Sequence, residues 1–221
     1  SVTVGGCNNS ATGTSSFIGG GNGNTASGNV SFVGGGNGNN VSNDCSVIVG
    51  GCSNNASGVI SFIGGGCNNL SSGYGSSIGA GIRNCVYGTA SAIFAGGRNS
   101  ISNVAYSAIT GGRCNSISAT RSFIGGGQYN IVSGAYSSVL GGQNNTNACA
   151  NSHVIGSNIT VNRACTTFVN DLTIVSASAC SGCAVGISTN GLLVPIAGGG
   201  ASVMVAGTGT CSIKGDNYGN N

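Results

Sequence analysis

Between Ser16 and Asn43 the chain reads SFIGGGNGNTASGNV and then SFVGGGNGNNVSN, one 15-residue phrase written almost twice. A phrase this short cannot bury its own apolar residues, so recurrence in phase requires each copy to stack on the next as one turn of a solenoid. With the serine as column 1, rows begin at Ser1, Ser16, Ser31, Ser46, Ser61, Ser76, Ser91, Ser107, Ser122, Ser137, Ser152 and Thr167. Only the row opened by Ser91 is laid out with 16 residues, the extra one near Ala105 and Tyr106. Column 3 is β-branched throughout: Thr3, Ile18, Val33, Ile48, Ile63, Ile78, Ile93, Ile109, Ile124, Val139, Val154 and Val169. Column 9 is asparagine in ten consecutive rows: Asn9, Asn24, Asn39, Asn54, Asn69, Asn84, Asn99, Asn115, Asn130 and Asn145.

Columns 1 to 4 have strand composition, as do columns 9 to 12. Glycine pairs such as Gly20-Gly21 and Gly65-Gly66 mark a corner between them, and the glycine or asparagine of column 13 is expected in left-handed geometry at the second corner. Alternation along a strand turns column 3 inward, opposite column 11, and column 2 outward. Column 2 nevertheless carries Phe17, Phe32, Phe62, Phe123 and Phe168. A coil this small encloses a core one or two side chains thick, so an outer phenylalanine stripe calls for another surface. The simplest arrangement is three copies about one axis, with these residues at the seam. The asparagine column reads as a structural ladder, amides stacked at rung spacing and capping the corner, or alternatively as polar display to a ligand.

Charge is scarce: 4% of residues are charged, and six basic against three acidic groups give a net charge of +3. That balance lacks the dense basic footprint of a nucleic-acid binder. No apolar run approaches the ~18 residues of a membrane-spanning helix, so no membrane insertion is expected of this segment. Eleven cysteines point to an oxidising, extracellular location. Cys52 and Cys67 fall in column 7 of adjacent rows, where a disulfide and a pair of small packed thiols are both compatible with rung spacing. Cys180 and Cys183 have redox or half-zinc spacing, but no second such pair accompanies them and His153 is the only histidine, which favours a local or interchain disulfide.

His153 occupies column 2 and reads as a packed residue. Asp44, Asp171 and Asp216 are scattered and no glutamate exists to pair with them, so neither catalysis nor a metal or other cofactor is expected. Arg83 and Arg98 share column 8 and Arg113 follows in column 7, a stripe spanning ~10 Å that either solubilises the corner or holds an acidic glycan or other anion.

Ser-x-x-Ile-Gly, followed by Ala or Val, Ser, Gly and a further serine, resembles the head repeats of trimeric autotransporter adhesins, and similar glycine- and asparagine-rich repeats occur in phage and viral tail fibres. The resemblance covers roughly Ser1 to Thr166 and implies a left-handed parallel β-roll, an intertwined rod-like homotrimer working in attachment. The expected fold class is therefore all-β, a parallel β-solenoid. Residues 1–170 would form the repeat array, and residues 171–221 a non-repetitive β module acting as cap, neck or connector. The chain starts in phase with the repeat and ends in glycine and asparagine, as expected of a segment of a longer fibre that could also polymerise head to tail. The expected function is the shaft of an extracellular or virion fibre. A receptor- or glycan-binding adhesin head is the alternative; an ice-binding solenoid is more remote, for want of an outward threonine column.

Overall fold

A computed structural model describes residues 1–170 and, beyond them, the strands Ala184–Ile187 and Leu193–Ile196. The chain divides into two compact units, Ser1–Leu172 and Thr173–Asn221. In the first, each row is one turn of a parallel β-solenoid. Sheet I contains 12 strands from Val2–Thr3 to Thr167–Val169, and sheet II contains 11 from Ser10–Ala11 to Thr160–Val161. Within each sheet a strand pairs with its equivalent one row on, as Phe17 with Phe32 and Thr25 with Asn40. Eleven steps at ~4.8 Å make sheet I about 53 Å long. No helix occurs among the described residues.

Most strands are two residues long, columns 2–3 and 10–11, where four had been expected. The reason is that the chain turns at three columns per row. Column 6 glycines have positive φ, such as Gly21 at 90° and Gly66 at 90°. Columns 8 and 15 are left-handed whatever residue they hold, including Arg83 (φ 58°), Val30 (φ 53°) and Ile60 (φ 58°). Such geometry costs a β-branched residue about 1–2 kcal/mol. It persists because it points the amide backwards: most ladder amides donate to the following coil, whereas Val30 N–H donates to Thr14 O at 2.8 Å and Ser53 N–H to Asn37 O at 2.8 Å in the preceding one.

Column 13 is not left-handed, contrary to expectation. Its glycines serve close approach: a Cβ on Gly28 would overlap the carbonyl of Asn43 one coil away.

The core is a single file of inward side chains. Ile18, Ile48, Ile63, Ile78, Ile93, Ile109 and Ile124 of column 3 face Ala26, Val41, Ala56, Val86, Ile101, Ile117 and Val132 of column 11, all fully buried. Each buried isoleucine or valine contributes about 1.5–3 kcal/mol. Two coils place a polar residue in column 11 and satisfy it internally. Ser71 Oγ lies 2.7 Å from Ser76 Oγ, and Asn147 Nδ2 donates to Ser152 O at 2.9 Å.

Two rows depart from the 15-residue period. Ala92 pairs with Ala108, 16 residues on, and the extra residue lies at Ser102–Val104, slightly earlier than expected, with Val104 tucked against the core. The row opened by Ser152 has 14 residues, because His153 pairs with Thr167 and Val154 with Phe168. The last row therefore begins at Thr166. Phe168, expected on the outer stripe, takes the inward place expected for Val169 and packs against the core. The residue is missing from the Gly156–Asn158 corner, where constant-period counting cannot detect it.

In the second unit, Ala184–Ile187 and Leu193–Ile196 pair antiparallel, Ala184 opposite Ile196. Cys180, Cys183, Asp171, Asp216 and the cap or neck expected of this module lie outside the described residues.

Candidate functional site

The asparagine column is built into the interior. From Asn24 to Asn145 these residues are 0–1% exposed, which removes display to a ligand as their role. From Asn9 to Asn130 each Oδ1 accepts the backbone N–H of the asparagine one coil on: Asn39 donates to Asn24, Asn54 to Asn39 and Asn69 to Asn54, all at 3.0 Å. Each Nδ2 donates twice, as Asn69 does to Gly65 O at 3.0 Å and to Gly81 O at 2.8 Å. One amide thus satisfies a backbone donor and a column 5 carbonyl that the turning backbone leaves without ladder partners, and adds a second donor to the column 6 carbonyl of the next coil, as at Gly81 O, which also accepts Cys67 N–H at 3.0 Å. Amide-to-amide contacts occur only at some steps, for example Asn69 Nδ2 to Asn54 Oδ1 at 3.0 Å, so the ladder runs chiefly from side chain to backbone.

At the other corner the column 1 serines form a second ladder that the sequence reading did not single out. They are buried from Ser16 to Ser152. Ser46 Oγ donates to Gly58 O at 2.7 Å and accepts Ser61 N–H at 3.0 Å; Ser107 Oγ donates to Ala119 O at 2.9 Å and accepts Ser122 N–H at 3.2 Å. The pattern is less complete, since the hydroxyls of Ser16 and Ser61 have no partner. The serine that opens every row but the last was the available signal.

The two outer faces differ in chemistry. On sheet I the rings of Phe17 and Phe32 stack with centroids 5.4 Å apart and planes 6° apart. Phe32 and Phe62 are exposed, Phe123 is half-buried, and Val4, Val49, Phe94, Leu140 and Ile155 stand exposed two columns along. His153 continues column 2, exposed, with Nδ1 2.9 Å from Ser138 Oγ. A serine–histidine contact needs a third group to orient the ring before it resembles a nucleophilic site. Asp44, the one carboxylate side chain within residues 1–170, instead accepts the N–H of Asn29 at 2.8 Å. On sheet II, column 12 is Thr12, Ser27, Ser42, Ser57 and Ser72, resuming at Ser102, Ser118 and Ser133, a row of hydroxyls rather than a threonine column.

The arginines fall where the spacing placed them. Arg83, Arg98 and Arg113 are exposed on three successive coils. Arg121, on the opposite corner, is instead held between aromatic rings, 5.6 Å from the centroid of Tyr106 and 5.3 Å from that of Tyr136, and donates to Tyr136 Oη at 2.6 Å. Cys52 and Cys67 are bridge partners on adjacent coils, both with free thiols. Desolvation and the adjoining Cys52 thiol hold the Cys67 thiol above its ordinary pKa. No group of three or more histidine, cysteine or acidic side chains able to hold a metal occurs among the described residues.

No protein-family model matches this chain, and no curated protein matches it.

Proposed function

We propose that this chain is a shaft segment of an extracellular or virion-surface fibre, assembled from three copies packed through the outer face of sheet I. The observation that carries the reading is the apolar stripe of Phe17, Phe32 and Phe62 on the outside of a coil whose interior is already filled. A contiguous exposed apolar strip on a rod marks an association surface, and a threefold axis buries one such face per copy without leaving a free one. The mechanism is mechanical. Continuous parallel ladders, buried corner amides and a nearly uncharged surface resist unfolding and proteolysis while the shaft holds its far end at a distance from its anchor.

Native mass spectrometry and sedimentation of the full chain test this reading. A trimer is expected, and Phe17→Ser, Phe32→Ser and Phe62→Ser combined should give folded monomers, with the β circular dichroism retained. A monomeric wild-type chain at tens of micromolar would overturn it.

A further inference from the structure

Columns 7 and 8 carry the coil's one concentration of like charge. Arg83 and Arg98 occupy column 8 of adjacent coils with φ of 58° and 56°, so their side chains leave the corner from the same backbone geometry one rung apart. Arg113 follows in column 7, in bridge register with Gly97 before it and Gln128 after it. Tyr129, left-handed like Arg83 and Arg98 (φ 56°) and 49% exposed, lies in column 8 one coil beyond Arg113. At ~4.8 Å per coil the three arginine backbone positions span about 10 Å, and Tyr129 stands one step beyond. The sole described carboxylate side chain, Asp44, is engaged with Asn29 N–H at the other corner. Unit charges at this spacing repel by about 1 kcal/mol in water, so the row is an arrangement that a line of anions would relieve.

We propose that this corner binds an acidic polysaccharide, an extended chain of uronic-acid type with its carboxylates set along the row. The three arginines sit on successive coils, one rung after another, which suits a linear polyanion rather than a single small anion. Each guanidinium offers a planar fork that matches a carboxylate. The exposed ring of Tyr129 offers a flat apolar platform for a sugar face at the end of the row. A polynucleotide is the poorer fit, because its affinity grows with the number of neutralised phosphates and with stacking platforms, and this stripe supplies three cations and one ring. The site lies on other columns than the phenylalanine stripe, so it does not depend on the shaft reading.

The test is calorimetric titration of the full chain with oligogalacturonate, with dextran of equal length as the neutral probe and oligothymidylate as the polyanion of another class. Arg83→Gly, Arg98→Gly and Arg113→Gly are the informative changes, because columns 8 and 7 already hold glycine at Gly23, Gly38 and Gly97 and the coil keeps its geometry. The combined variant should lose at least about tenfold in oligogalacturonate affinity, given charge-assisted pairing at three sites. The exposed Arg163→Ser change should leave binding as it was, and Tyr129→Ala should weaken it a few-fold with its salt dependence intact. Unchanged binding by the triple variant, equal binding of dextran, or tighter binding of oligothymidylate would each overturn the proposal. An unaltered oligomeric state of the triple variant separates any such failure from a failure of the shaft reading.

Discussion

The two corners of the coil respond differently to a change of one residue. At the serine corner, the extra residue at Ser102–Val104 is absorbed: Val104 tucks inward, and sheet I continues in register through Ala108, Phe123 and Ser138. At the asparagine corner, the residue missing from Gly156–Asn158 coincides with the end of the asparagine ladder, where Ile159 N–H takes the last Oδ1, that of Asn145, at 3.0 Å. The chemistry explains the contrast. An amide bridges three backbone groups from a fixed position, so the corner beneath it must have one length. A hydroxyl has a single proton to donate and rotates freely, so its corner can change length or leave a serine without a partner.

The sharpest way to break the contrast is at Gly66, where φ is 90° and a Cβ would overlap the carbonyl of Gly81. Gly66→Ala should cost roughly 3–5 kcal/mol in urea denaturation, combining left-handed strain with overpacking. Asn69→Ala comes next. It strands the N–H of Asn84 and removes a donor from two carbonyls, a loss of about 2–4 kcal/mol, with hydrogen exchange accelerating first at Asn84. Deleting Asn103 restores the 15-residue spacing at the tolerant corner and should change stability by no more than about 1 kcal/mol. Smallest of all, Ser61→Ala removes a buried hydroxyl without a partner and should be neutral or stabilising by up to about 1 kcal/mol. A loss at Ser61 comparable to that at Asn69 would erase the distinction between the corners.

Much of this was legible from period alone. Ile18 inward, Phe17 outward, Gly21 at the corner and Asn24 in a ladder follow from a fixed repeat and the two-residue alternation of a strand. What period could not supply was the direction of backbone amides. The left-handed residues at columns 8 and 15 include Val30, Ile60, Arg83 and Tyr136, with no shared side-chain type to announce them. Column 13 was misread for the same reason, since glycine signals equally a positive φ and a close approach, and only the neighbouring coil distinguishes them. Phe168 was misplaced because a missing residue shifts every later column, and alternation then turns an outer side chain into an inner one. The arginine stripe, Tyr129 included, was visible as spacing; that Arg121 is sandwiched between Tyr106 and Tyr136 was decided by the fold.

Sequence by itself determined that this chain is a stack of parallel coils, which residues fill it, and that one outer face is apolar. These are consequences of periodicity, which acts locally and repeats. The tertiary structure decided the register after each irregular row, the inward burial of the asparagine amides, and the division of the corners into one of fixed length and one that yields. Those depend on which carbonyl lies one coil away, a partner 11 to 16 residues distant that the local pattern of a row does not announce.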